Sequence, residues 1–105
     1  MEVLVVYITA PNEEEAAKIA RALVEERLAA CVNLVRDIRS IYSWQGKIED
    51  EKEVLMIVKT RLRLFKALQS KVKELHPYTV PEIIALPVVD GSEAYLRWMD
   101  RELGS

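Results

Sequence analysis

Hydrophobic positions along this chain change period in a way that marks strands and helices in turn. Residues 3–9, Val-Leu-Val-Val-Tyr-Ile-Thr, form a nearly unbroken β-branched and aromatic run, which predicts a central strand covered on both faces or buried at an interface. Pro11 ends the run. Asn12 and Glu15 make an N-cap pair of the capping-box kind, with three glutamates in the first turn. Ala16, Ile19, Ala20, Leu23 and Leu28 then keep helical spacing, which predicts a helix over about 13–29.

From Cys31 to Trp44 the pattern largely alternates, placing Val32, Leu34, Ile38, Tyr42 and Trp44 on one side; Val35 and Ile41 break the period and predict a bulge or burial on both faces. Gln45-Gly46 signals a short turn. Ile48 to Thr60 returns as a strand, acidic near the turn (Glu49, Asp50, Glu51, Glu53) and apolar from Val54 to Val58. Each arm of this hairpin has roughly a dozen residues, about twice the usual strand length. Such a hairpin overhangs the sheet of a small domain and leaves edge groups and aromatic rings without partners in one chain, so self-association is expected.

A second helix carries Leu64, Phe65, Leu68, Val72 and Leu75 as its buried stripe, with Lys71 and Lys73 favourable to the dipole near its end. His76-Pro77-Tyr78-Thr79-Val80-Pro81 reads as a rigid connector, because each proline fixes its own φ and restricts the residue before it. Glu82 to Leu86 is a fourth strand. Asp90-Gly91-Ser92 turns the chain and caps a last helix with Tyr95, Trp98, Met99 and Leu103 on its apolar face. The two halves also match weakly: Val3 to Thr9 lies over Val54 to Thr60, and Ala16, Ile19 and Leu23 fall on Phe65, Leu68 and Val72. Right-handed crossovers fold two β-α-β halves into one sandwich. Residues 1–105 are therefore expected to form a single α+β domain, a ferredoxin-like βαββαβ sandwich with a long hairpin between its second and third strands and an extra C-terminal helix.

Composition narrows the chemistry. Half of the 105 residues are hydrophobic and 30% are charged, the balance of a folded globular protein, and no run of 18 apolar residues predicts a membrane span. The N-terminus reads as a strand and not a signal peptide, and the lone Cys31 forbids an internal disulfide, so a reducing, cytoplasmic setting is expected. The 15 basic and 17 acidic residues nearly cancel, leaving no electrostatic footprint for nucleic acid. High charge with few amides and glycines resembles heat-adapted proteins and predicts thermostability.

Several functions known on this fold are excluded by their sites. One cysteine cannot supply the Cys-x-x-Cys grip of soft-metal chaperones. Val54-Leu55-Met56-Ile57-Val58 lacks the stacking aromatics of RNA-binding versions. Thr9-Ala10-Pro11-Asn12, followed by glutamates, is no glycine-rich anion loop. With one histidine and no Ser/His/Asp arrangement, a non-enzyme is expected.

Leu28-Ala29-Ala30-Cys31-Val32-Asn33, Tyr42-Ser43-Trp44-Gln45-Gly46-Lys47-Ile48-Glu49, Lys59-Thr60, and His76-Pro77-Tyr78 leading to Pro81-Glu82 together resemble the CutA divalent-cation-tolerance family. That resemblance covers nearly the whole chain and implies a ferredoxin-like fold, a homotrimer joined through sheet edges and the long hairpin, and a link to copper and other divalent ions. One chain offers one thiol and one imidazole, too few for a closed copper site. Trimerisation raises the count, so the candidate metal ligands are Cys31, His76 and Glu82, against a reading of Cys31 as a small core residue and His76 as a structural hydrogen-bonding group. Lys59 is expected to pair with Glu82, either setting subunit register or lining an intersubunit pocket with Tyr42, Trp44 and Tyr78 that takes a small anion or metabolite. Trp98 is assigned to the core. The alternative is a trimeric regulator of the PII type, which shares this architecture and binds nucleotides between subunits; a third is a structural trimer with incidental metal binding.

Overall fold

A computed structural model describes residues 2–104. The elements are β1 (Val3–Ala10), α1 (Glu13–Glu25), β2 (Cys31–Trp44), β3 (Lys47–Arg61), a 3-10 turn at Leu62–Leu64, α2 (Phe65–Leu75), β4 (Ile83–Pro87) and α3 (Glu93–Leu103). They form one antiparallel sheet in the order β2-β3-β1-β4. This is the expected ferredoxin-like α+β sandwich, extended by the long hairpin and the last helix.

Alternation along β1 and β3 sets the layers. Leu4, Val6, Ile8, Ala10, Val54, Met56 and Val58 face α1 and α2, where Ala16, Ile19, Leu23, Leu68 and Val72 close one buried core. The opposite face carries Val5, Tyr7, Leu55 and Ile57, which stay partly accessible, and Val35, Ile84 and Leu86, which are exposed. Over one end of that second face lies α3, packing Met99 and Leu103 on Val3 and Ala30. Arg61, almost fully buried, reaches Asp100 of α3 at 2.6 Å.

Helix α1 stops four residues before the expected end. Arg27 turns left-handed (φ 57), its N–H reaching Val24 O and the Leu28 N–H reaching Leu23 O, a Schellman closure made without glycine. Leu28 thereby packs on the core from a loop instead of a helix. Thr60 Oγ1 donates to Leu28 O at 2.6 Å, and Ala30 N–H donates to Lys59 O, so β3 holds the link into β2. Trp98 is only partly buried, tilted 5.4 Å from the exposed Tyr95 ring; Met99 and Leu103 are the buried residues of α3.

The hairpin contains the bulge that the broken period predicts. Val35 pairs with Leu55 but Ile38 pairs with Glu53, so Arg36 and Asp37 oppose the single Val54, with Asp37 at φ 60. One extra residue reverses the faces beyond it. Val32 and Leu34 consequently point to the helices, whereas Ile38, Tyr42 and Trp44 point to the opposite side, correcting the expectation that all five share one face. Gln45 (φ 50) and Gly46 (φ 80) close the hairpin in the type I′ geometry that suits the strand twist.

Candidate functional site

Beyond the bulge, the hairpin curls toward the connector that precedes β4 and encloses a cleft of about 650 Å³. Tyr42 and Trp44 line it from β2, Glu53 from β3, Pro77 and Tyr78 from the connector, and Glu82 from the residue before β4. No lysine or arginine lines it among the described residues.

His76 pins the connector in place. Its Nε2 lies 2.7 Å from Thr9 O, and its Nδ1 lies 3.0 Å from the Tyr78 backbone nitrogen. A carbonyl can only accept and an amide N–H can only donate, so the ring is neutral with its proton on Nε2. Both nitrogens are engaged and the residue is buried. Within the chain His76 thus acts as a structural hydrogen-bonding group that holds the connector.

The pinned connector delivers the Tyr78 ring to 4.7 Å from the imidazole, and the Tyr78 hydroxyl donates to Glu53 Oε2 at 2.7 Å. Glu53 is only 5% exposed. Burial first, and then the Glu53 carboxylate, hold the Tyr78 phenol far above its usual range. The Tyr42 phenol is raised by desolvation and by Glu51, Glu53 and Glu49, and Glu82 by desolvation and by Glu53. Desolvation is the leading cause for all three groups, and the neighbouring glutamates add to it.

Tyr42, Trp44, Tyr78 and Glu82 line one cleft within the chain, and Lys59 does not join them. Lys59 shares its row with Cys31 and Val5, whereas the cleft begins near the row of Thr9 and Leu55, four residues or about 13 Å along the strand. Its ammonium donates to Asn33 Oδ1 and stands 4.0 Å from Cys31 Sγ. Among the described residues no ion pair joins Lys59 to Glu82 within the chain. Cys31 is half-buried, and its thiol, after burial, raises the nearby Tyr95 phenol. Cys31, His76 and Glu82 thus occupy separate settings, and no group of three or more metal-ligating side chains converges among the described residues.

Glu53 lies outside the expected pocket set: from sequence it belongs to the acidic run with Glu49, Asp50 and Glu51, which could hold hard cations but is more often a solvated strand end. Its signal is position: it adjoins Val54, where the apolar stretch begins.

An antiparallel ferredoxin-like sandwich with a carboxylate-bearing, aromatic-walled cleft at the base of a projecting hairpin defines a small α+β module. The model of the CutA1 divalent ion tolerance protein family matches residues 4–102, and the chain belongs to that family. The divalent-cation tolerance protein CutA of Thermus thermophilus is 55% identical over 100 residues, covering 95% of this chain and 97% of its own. Human protein CutA is 56% identical over 93 residues, which are 89% of this chain, but the match spans about half (52%) of the human chain. The solved structure of CutA from Archaeoglobus fulgidus, described as a periplasmic divalent cation tolerance protein, superposes with a TM-score of 0.93 at 46% identity, covering 96% of this chain and 98% of that one. Among the described residues no helix is long and apolar enough to cross a membrane.

Proposed function

We propose that this chain is a homotrimeric, non-enzymatic protein that binds divalent cations, copper(II) first among them, and serves metal-ion tolerance in the cytoplasm. The observation that carries the reading is the buried Glu53 carboxylate facing a cleft that Glu82 also lines and from which lysine and arginine are absent. Carboxylate and phenol oxygens suit divalent ions, and for a given oxygen or nitrogen donor set copper(II) stands highest in the affinity order. One chain does not assemble three converging ligands among its described residues, so a closed site draws on a second chain. The exposed apolar face around Ile84 and Leu86 supports that assembly, since such a face is stabilised by burial against a neighbour. In the assembly Cys31 adds its thiol, or Lys59 meets Glu82 of another chain.

Two measurements test this. Sedimentation equilibrium is expected to return three times the 12.1 kDa chain mass. Calorimetric titration with copper(II) is expected to show uptake that Glu53→Gln and Glu82→Gln reduce and His76→Gln leaves intact. A monomer mass, or undiminished uptake by the Glu53→Gln/Glu82→Gln double variant, overturns it.

A second reading, a PII-type trimer that binds a small molecule, is favoured by the cleft volume, which falls within the range of small-molecule sites. Nucleotide phosphates would meet carboxylates there and no basic side chain, so the reading weakens for anions. A thermal-shift series with ATP, ADP and cyclic nucleotides decides it: stabilisation by any of them displaces the metal reading.

A further inference from the structure

We infer that the cleft beside Glu53 binds a primary alkylammonium group, its charged head on Glu53 and Glu82 and its aliphatic stem against Tyr42 and Trp44. The inference rests on the reading of this cleft as a cation site and names the class of cation.

Three observations carry it. Glu53 is nine-tenths buried or more, accepts one hydrogen bond from the neutral Tyr78 phenol, and has no ion-pair partner among the described residues. A carboxylate in that position is incompletely compensated, and a cation with N–H donors supplies both charge and hydrogen bonds. The walls are aromatic and aliphatic, through Tyr42, Trp44, Pro77, Tyr78 and Val80, and a bare metal ion makes no use of them. An ammonium ion on a hydrocarbon stem does, because ring faces attract cations and a methylene stem is buried along apolar surface while its charged head sits elsewhere. The volume of about 650 Å³ admits a molecule of that size, and the absence of lining lysine and arginine turns anions away. A quaternary ammonium has no N–H to offer the two carboxylates, which selects the primary amine.

The same head group occurs in free diamines and in lysine side chains, and both belong in the test. Butylammonium is titrated into the full chain at neutral pH by calorimetry, with 1-butanol as its neutral counterpart; 1,4-diaminobutane and Nα-acetyl-lysine methylamide distinguish the two sources. The expected result is millimolar uptake of butylammonium and of one of the two sources, and none of butanol. Glu53→Gln is expected to weaken binding about tenfold or more, the worth of a charged hydrogen bond. Trp44→Ala is expected to weaken it roughly threefold while leaving the fold intact by circular dichroism. No uptake of butylammonium overturns the inference, including the case where a lysine of a second copy fills the cleft; so does equal uptake of butanol, or binding that neither Glu53→Gln nor Trp44→Ala changes. A parallel copper(II) titration separates the failures: copper uptake without ammonium uptake removes this inference alone, and uptake of neither removes the cation site altogether.

Discussion

Tyr78 and Glu53, 25 residues apart in sequence, are joined by a 2.7 Å hydrogen bond from phenol to carboxylate that ties the connector before β4 to the third strand. The bond stabilises a carboxylate that β3 buries, and it holds the aromatic wall of the cleft. Removing it leaves the acceptor inside with nothing equivalent to replace the donor.

Tyr78→Phe is therefore expected to lower stability by about 1–3 kcal/mol, read as a reduced midpoint in guanidinium unfolding with an unchanged slope. Its pH dependence has a definite sign. The folded phenol titrates above the unfolded one, so its contribution is complete below about pH 10 and is lost as pH rises further. The wild type should lose stability through the alkaline range, and Tyr78→Phe should lose less over the same interval.

Glu82 obeys the same rule at the other end of the scale. Its carboxyl is raised in the folded protein by desolvation and by Glu53, so the stability it contributes is full below the unfolded carboxylate range and is lost as pH rises. In metal-free protein Glu82→Gln is expected to be neutral or stabilising at pH 7, with the difference from wild type vanishing near pH 4. A variant clearly less stable than wild type at pH 7 contradicts that sign.

The hairpin turn separates backbone strain from packing. A Cβ on Gly46 would meet no atom within 4 Å, yet the residue holds φ 80. Gly46→Ala is expected to cost about 1 kcal/mol through conformation alone, and Gln45→Asn, which favours the left-handed region, should raise the melting temperature.

Asn12 caps α1 by accepting from the Glu15 N–H at 2.8 Å. Asn12→Ala should destabilise by about 1 kcal/mol and Asn12→Asp by far less, measured by thermal melting.

The exposed face predicts an assembly phenotype. Leu86, 43% exposed, and Ile84, 52% exposed, face away from the helices because their β1 partners are Val5 and Tyr7. Ile84→Asp/Leu86→Asp should reduce the sedimenting mass to that of one chain while keeping a native circular dichroism spectrum, since neither side chain belongs to the core. A trimer mass for this double variant moves the contact surface elsewhere.

Short-range signals in the sequence determined most of the fold. The Asn12 cap, the stripe Ala16, Ile19 and Leu23, the Gln45-Gly46 turn and the apolar run of β1 each act within a few residues, and the structure carries all of them. The end of α1 escaped because Arg27 adopts the left-handed conformation that the sequence rule reserves for glycine. Tertiary structure alone decided the rest. The bulge at Arg36 and Asp37 reversed the faces of β2, turning Tyr42 and Trp44 from the helix side toward the cleft, and only strand pairing records which residue is unpaired. Glu53 and Lys59 show the same limit: both lie on the same face of β3, but burial beside Tyr78 makes one a cleft carboxylate, and six residues of strand rise carry the other away. Alternation is a local property of the chain, whereas register, burial and the meeting of a connector with a hairpin depend on contacts between segments far apart in sequence.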